Sequence, residues 1–259
     1  KIYKNQLVHI YTGAEVIDAD GYIGNFKTLI KSSRGEVEIK HGITVIATGA
    51  KEYEPKEYLC GEAENVITNL KLEEKIVNND EQVFNSRSVV FIQCVGCRNT
   101  ERNYCSRICC SQTVKNALKL KELKPEIDIY VLFRDMRTYG FREDYYRKAA
   151  EKDVKFIRFE PEEAPKLKEV VEQGRKIIKV NVKDLILQKE LEIDADIVSL
   201  AAAVIPNEDS GDVSQFFKLS MNEDGFFKEA HVKLRPVDFG TSGVFLCGIA
   251  HYPKHLQEV

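Results

Sequence analysis

Five of the seven cysteines lie in one short segment, residues 94–110. This concentration argues against a disulfide scaffold, because stabilising disulfides join segments that are distant in sequence. The spacing is Cys94-x2-Cys97-x7-Cys105-x3-Cys109-Cys110, and four converging thiolates suit an iron–sulfur cluster. Four thiolates also suit tetrahedral zinc, although zinc ribbons usually pair two Cys-x2-Cys motifs. The spacing therefore favours a cluster and leaves a structural zinc site open.

The cysteine segment lies between a predicted strand and a predicted helix. Residues 88–92 are a continuous β-branched and aromatic run, which is typical of a strand buried on both faces. Apolar residues recur at helical spacing over 111–123, and 127–133 is a second buried strand. This βαβ order predicts a parallel sheet with the cysteines at its carboxyl edge, where open α/β sheets bind ligands.

The rest of the chain reads as a mixture of strands and helices. We predict strands at 7–11, 14–20, 24–31, 43–46, 154–157, 196–201 and 243–248, a hairpin of 176–182 and 184–191, and helices at 70–78 and 142–152. Residues 7–48 are predicted to form a β-rich meander. The fold class is therefore α/β.

Composition excludes several classes of function. The net charge is -3, so no strongly basic surface suggests nucleic acid as a partner. No apolar run is long enough to span a membrane, and the first residues do not form a signal peptide. Unpaired local cysteines and no export signal predict a cytoplasmic protein. The chain begins at Lys1-Ile2-Tyr3, so we expect a fragment.

Several motifs resemble the A subunit of heterodisulfide reductase and its relatives, the iron–sulfur flavoproteins of anaerobes. The matching stretches are residues 22–26, 47–53, 89–96, 104–110, 135–137 and 243–254. They follow the family's order over nearly the whole chain. The resemblance implies a truncated thioredoxin-reductase-like core of two dinucleotide-binding domains, with parallel sheets, helices and a β-meander. It further implies that residues 1–86 are the second part of an FAD-binding domain, 87–204 an inserted nucleotide-binding-like domain carrying the iron–sulfur loop, and 205–259 the return to the FAD-binding domain.

The resemblance also implies two cofactors, a [4Fe–4S] cluster and FAD. The implied cluster ligands are Cys94, Cys105, Cys109 and Cys110, and Cys97 is a spare thiol. The implied flavin-site residues are Ala47, Thr48, Gly49, Cys247, Gly248, Pro253 and Lys254. The Gly-x-Gly-x-x-Gly motif that binds the FAD pyrophosphate does not occur in the sequence. We therefore expect this chain alone to bind FAD weakly.

A few charged residues have two interpretations. Lys115 follows the cysteines in the predicted helix, where the resemblance gives it a catalytic role through positive charge near the flavin. The alternative is an ordinary solvated lysine. His251 and His255 flank Pro253-Lys254 and are interpreted as flavin-site or surface residues, since Pro253 argues against a helix that would pair them on a metal.

The implied function is electron transfer between FAD and [4Fe–4S] clusters. The implied protein is an oxidoreductase that is active within a larger complex and that carries out flavin-based electron bifurcation. The implied partners are other heterodisulfide reductase subunits, hydrogenase or formate dehydrogenase subunits that supply electrons, ferredoxin and a second copy of the chain. Two alternatives remain open, a zinc-stabilised nonredox docking module and a nicotinamide-dependent disulfide reductase.

Overall fold

The computed structural model describes residues 4–172 and 174–258. The chain divides into two compact units. Unit 1 consists of Lys1–Lys51 and Ile205–Val259, and unit 2 of Glu52–Val204. The assignment of 1–86, 87–204 and 205–259 to functional domains stays a prediction, and residues 52–86 lie in unit 2.

The described residues form both strands and helices. The strands are β1 (Ala14–Asp20), β2 (Phe26–Ser32), β3 (Gly35–His41), β4 (Thr44–Ile46), β5 (Lys51–Glu52), β6 (Val66–Thr68), β7 (Ser88–Val95), β8 (Asp128–Phe133), β9 (Val154–Arg158), β10 (Lys166–Glu172), β11 (Arg175–Asp184), β12 (Lys189–Ala195), β13 (Ile197–Ala202), β14 (Val204–Ile205) and β15 (Val244–Leu246). The helices are α1 (Asn69–Val77), α2 (Glu81–Asn85), α3 (Cys109–Leu123), α4 (Glu143–Glu151) and α5 (Ser210–Phe217).

Unit 2 is built on a five-stranded parallel sheet, as predicted, with the order β6-β13-β7-β8-β9. Along β7, Val89 and Phe91 pack on one face of the sheet and Val90 and Ile92 on the other. All four are fully buried. Burial on both faces explains why this segment is a continuous apolar run instead of an alternating pattern.

The two faces of this sheet are covered by different structures. Apolar side chains of α1, α3 and α4 join Val89 and Phe91 in one core cluster. Strands β11 and β12 of the antiparallel sheet β10-β11-β12 join Val90 and Ile92 in another. Within residues 4–172 and 174–258, no helix combines the length and apolar character that crossing a membrane requires.

Unit 1 contains the predicted meander and a short parallel pair. Strands β1, β2 and β3 are antiparallel neighbours, and β4 pairs with β15 in parallel. The core of the unit contains both aliphatic and phenylalanine side chains, and the Phe227 and Phe239 rings meet edge to face with centroids 5.8 Å apart. Helix α5 adds Val213 and Phe217 to the same cluster.

One predicted strand is wrong, and the predicted hairpin is present with a different turn. Residues 7–11 form no strand, and Leu7 is 89% exposed, because this apolar run has no neighbouring strand to pair with. The predicted hairpin is the second half of a three-stranded sheet. Its turn falls at 185–188, and β12 continues to Ala195. Strand β10 was missed because its side chains are mostly polar and exposed, which hides the alternation.

Candidate functional site

The cysteine loop lies at the carboxyl edge of the parallel sheet in unit 2. Cys94 is near the end of β7, between neighbouring strands β13 and β8, and Cys109 is the first residue of α3. Residues 96–108 connect these two elements. The βαβ connection therefore places the cysteines at the edge of the sheet predicted from the sequence.

The loop is curved by residues in the left-handed backbone region. Cys94, Arg98 and Arg107 have φ values of 63°, 57° and 58°, and Gly96 has 77°. This conformation costs a non-glycine residue about 1–2 kcal/mol. Strained backbone of this kind is concentrated at functional sites, where the surrounding structure holds it in place.

The thiols of the loop are close to one another. The Cys94 thiol donates a hydrogen bond to Cys97, which lowers the pKa of Cys97 to about 7 and, together with burial, raises the pKa of Cys94. Cys109 and Cys110 form a second hydrogen-bonded pair, which raises the pKa of Cys109 and lowers that of Cys110. Cys97, Cys109 and Cys110 are 2–3% exposed. The five cysteines therefore form one interacting group, in which Cys97, the predicted spare thiol, interacts with both Cys94 and Cys105.

Positive and N–H groups surround these sulfur atoms. The Arg98 guanidinium Nη1 lies 3.7 Å from Cys94 Sγ, and the backbone N of Arg107 lies 3.3 Å from Cys105 Sγ. The backbone N–H of Arg137 donates to Cys110 and helps to lower its pKa. Such donors stabilise thiolates. The deprotonated form is therefore favoured at Cys97 and Cys110, whereas the pKa values of Cys94 and Cys109 are raised by their thiol partners and by burial.

The possible metal donors of the loop are thiols. Among the described residues, no three His, Cys, Asp or Glu side chains converge as one bound metal ion requires. Five buried or half-buried thiols suit the thiolate ligation of an iron–sulfur cluster. Which four thiols act as ligands stays a prediction.

Gly96 gives a test of how tightly the loop is held. A Cβ at Gly96 would overlap the Tyr53 ring, whereas a Cβ at Gly61, with φ 84°, would enter open space. We expect Gly96→Ala to lower the free energy of unfolding by about 2–4 kcal/mol, from backbone strain and the clash together. Gly61→Ala is the control for backbone strain alone and should cost about 1–2 kcal/mol. Urea unfolding measures both, and equal losses would show that the ring moves aside without cost.

The predicted flavin residues of unit 1 follow two paired strands. Cys247 N donates to Ile46 O at 2.9 Å, so residues 47–49 and 247–248 leave the sheet at the same edge. Gly49 and Gly248 have φ values of 77° and 73°, and a Cβ at either would meet no protein atom within 4 Å. These small residues leave open space beside the backbone, which fits the close approach of a flat cofactor.

Three buried or half-buried polar side chains interact near these residues, and of the three only Glu229 was not singled out in the sequence. His251 Nε2 donates to Glu229 Oε2 at 2.6 Å, and Lys254 Nζ donates to His251 Nδ1 at 3.0 Å. Lys254 is 8% exposed and lies 4.1 Å from the Tyr252 ring centroid. Glu229 carries no local signal because it is 22 residues away from His251.

The partners of His251 predict a dependence of stability on pH. Burial lowers the pKa of His251, with a smaller opposing effect of the Glu229 hydrogen bond and a further lowering by Lys254. The imidazole is therefore neutral when folded, and the unfolded chain takes up a proton first as pH falls below about 6.5. The contribution of neutral His251 to the free energy of unfolding is fully present above that pH and is lost as the pH falls below it.

We expect His251→Gln to lose less stability between pH 7.5 and pH 5.5 than the unaltered chain. Urea unfolding at the two pH values measures the difference. His9→Gln, at an exposed position, is the control and should follow the unaltered chain. An unchanged pH dependence in His251→Gln would contradict this account.

Lys115 forms an ion pair with a residue of α1. Its Nζ lies 2.6 Å from Glu73 Oε1 of α1, and the side chain is 57% exposed. A half-exposed pair of this kind contributes about 0–1 kcal/mol. A role for Lys115 near a flavin stays a prediction.

Comparison with known proteins identifies relatives of this chain. No family model matches it. The chain is 37% identical over 240 residues to the A subunit of the "H(2):CoB-CoM heterodisulfide,ferredoxin reductase" of Methanothermobacter thermautotrophicus, which covers 86% of this chain and 35% of that protein. It is 36% identical over 242 residues to the iron–sulfur A subunit of the "CoB--CoM heterodisulfide reductase" of Methanocaldococcus jannaschii, covering 86% and 36%. The chain thus spans about a third of the length of these relatives.

Solved structures show the same fold at low sequence identity. Thioredoxin reductase from T. acidophilum matches with a TM-score of 0.55 and 14% identity, covering 93% of this chain and 67% of that one. An NAD-dependent persulfide reductase from A. fulgidus matches with a TM-score of 0.56 and 19% identity, covering 96% and 40%. The thioredoxin-reductase-like fold predicted above is confirmed. With this fold and these relatives, the chain belongs to the family of heterodisulfide reductase A subunits.

Proposed function

We propose that this chain is an electron-transfer part of an iron–sulfur flavoprotein oxidoreductase. The observation that carries the proposal is the group of five interacting thiols at the carboxyl edge of the parallel sheet, with N–H and guanidinium partners. A relative from Methanocaldococcus jannaschii is named as an iron–sulfur subunit, which supports the same assignment.

In this proposal Cys94, Cys105, Cys109 and Cys110 hold a [4Fe–4S] cluster, which supplies one-electron transfer when bound. Arg98 offsets negative charge on the sulfur of Cys94. Burial of the thiols keeps water away from the ligands and influences the reduction potential. The protein's own contribution is therefore to position the sulfur atoms and to set their charge environment.

FAD would lie against residues 47–49 and 247–248 of unit 1, with Pro253 and Lys254 nearby in sequence. The open space beside Gly49 and Gly248 supports this assignment. In the proposed arrangement, 1–86 and 205–259 belong to the FAD-binding domain and 87–204 to the inserted domain. The pyrophosphate motif would have to come from outside this chain.

The partners are proposed from the names of the relatives. Those names contain heterodisulfide, ferredoxin, H(2) and formate. We infer that the whole protein works with other heterodisulfide reductase subunits and with ferredoxin, and receives electrons from a hydrogenase or a formate dehydrogenase. More specifically, we propose that the electrons from the donor are divided at the flavin between two acceptors, which is flavin-based electron bifurcation.

The direct test is metal and cofactor analysis of anaerobically purified protein. We expect about four iron and four sulfide per chain, and broad visible absorption that bleaches on reduction. A colourless protein with one zinc per chain would contradict the proposal. Added FAD, followed by its fluorescence, tests the flavin site separately.

A further inference from the structure

Two buried polar atoms that have no hydrogen-bond partner within the described residues stand next to predicted cluster ligands. Gln93 Oε1 belongs to the residue before Cys94, and Ser111 Oγ to the residue after Cys110. An unpaired polar atom in the interior is destabilising, and native proteins keep few of them. Their placement beside both thiol-bearing segments suggests a common partner.

The amide of Gln93 reaches the start of α3. Its Nε2 lies 2.6 Å from Thr113 Oγ1, and Gln93 is 2% exposed. Thr113 is four residues after Cys109 in α3, so the two lie one above the other on the same face, one helical turn apart. The Gln93 side chain therefore contacts α3 one helical turn after Cys109.

The hydrogen bonds around Thr113 decide how the Gln93 amide is oriented. Asn69 Nδ2 donates to Thr113 Oγ1 at 2.7 Å, and Ser199 Oγ donates to Asn69 Oδ1 at 2.7 Å, in the orientation of the Asn69 amide that the structure gives. With donors from Asn69 and Gln93 on its oxygen, the Thr113 hydroxyl proton needs an acceptor. Rotating the Gln93 side-chain amide by 180° places its oxygen against Thr113 Oγ1, where it accepts the hydroxyl proton. The same rotation places the amide N–H groups at the position where Gln93 Oε1 had no partner.

Sulfur in thiolates and sulfides accepts hydrogen bonds and does not donate them. A hydrogen-bond donor at Gln93 and the hydroxyl of Ser111 therefore match a sulfur-rich group held by the adjacent cysteines. We propose that Gln93 and Ser111 donate hydrogen bonds to sulfur atoms of the iron–sulfur cluster, with Thr113 and Asn69 orienting Gln93. This inference rests on the proposed function. Such bonds stabilise the more negative reduced state and so raise the reduction potential.

The test compares Gln93→Met and Ser111→Ala, singly and together, in the anaerobically purified chain. Both changes remove the donor at little cost in volume. We expect cluster iron and sulfide to be retained. At the potential that half-reduces the unaltered cluster, the ratio of reduced to oxidised cluster should fall about tenfold in the double variant. For a one-electron couple, this tenfold change corresponds to a reduction potential lowered by about 59 mV. Couplings of exchangeable protons, seen by pulsed EPR after transfer to D2O, should weaken in parallel.

Ser88→Ala is the matched control. Its Oγ is also buried without a partner within the described residues, but Ser88 begins β7, at the opposite end from Cys94. This variant should keep the potential of the unaltered chain. Three results would overturn this inference and leave the proposed function standing. They are unaltered potentials in both test variants, an equal shift of the potential in Ser88→Ala, and iron loss from Gln93→Met together with an unchanged potential in Ser111→Ala. An unaltered chain without iron or sulfide would overturn the proposed function and this inference with it.

Discussion

Cys110→Ser is expected to lose most of the cluster iron, from about four to fewer than one per chain. A serine hydroxyl is a poor replacement for a soft thiolate. Cys110 is 2% exposed and receives the backbone N–H of Arg137, so its sulfur has a fixed position. Cys105→Ser and Cys109→Ser should behave in the same way. Iron and sulfide analysis with visible absorption measures the loss.

Two other cysteines serve as controls for the ligand assignment. Cys60 lies outside the loop, and Cys60→Ser should keep the full iron content. Cys97→Ser should also keep it, if Cys97 is the spare thiol. Full iron in Cys110→Ser would refute the assignment. Iron loss in Cys97→Ser with retention in Cys94→Ser would exchange the roles of these two cysteines.

Phe91→Ala is expected to lower the free energy of unfolding of unit 2 by about 3–5 kcal/mol. Phe91 is fully buried in the middle of β7, between α1, α3 and the rest of the parallel sheet. The truncation leaves a cavity that neighbouring side chains fill only in part. A typical domain has about 5–15 kcal/mol of stability, so the loss is a large fraction.

Urea unfolding, followed separately for each transition where two appear, measures this loss. Phe141→Ala is the matched control, because Phe141 is 95% exposed and the change should stay within about 0.5 kcal/mol. Similar effects at the two positions would mean that β7 is not the core strand described above.

The sequence predicted the parts of the fold that depend on local pattern. Strand β7 is buried on both faces and is a continuous apolar run, whereas α3 is buried on one face and has apolar residues at helical spacing. Both patterns of apolar residues are visible in the sequence, so both elements were predicted. The run at 7–11 was wrongly predicted as a strand. Pairing depends on a neighbouring strand, and a short sequence window contains no information about that neighbour.

The candidate site was predictable only where its residues are close in sequence. The cysteine loop is a single segment, so its spacing is visible. Glu229 pairs with His251, and Asn69 reaches Thr113 and Ser199, over separations that the fold alone brings together. The family resemblance proposed a role for Lys115, but its contact with Glu73 depends on the packing of α1 against α3.

The division of unit 1 into two segments has a consequence for the order of events during translation. Strand β4 pairs with β15, and β15 begins at Val244. The whole of unit 2 is therefore made before β4 can find its partner, while the contacts of unit 2 lie within one continuous stretch of chain. At about 5–20 residues per second, β4 waits on the ribosome for about 10–40 seconds. Throughout that time its apolar edge needs protection from other nascent strands.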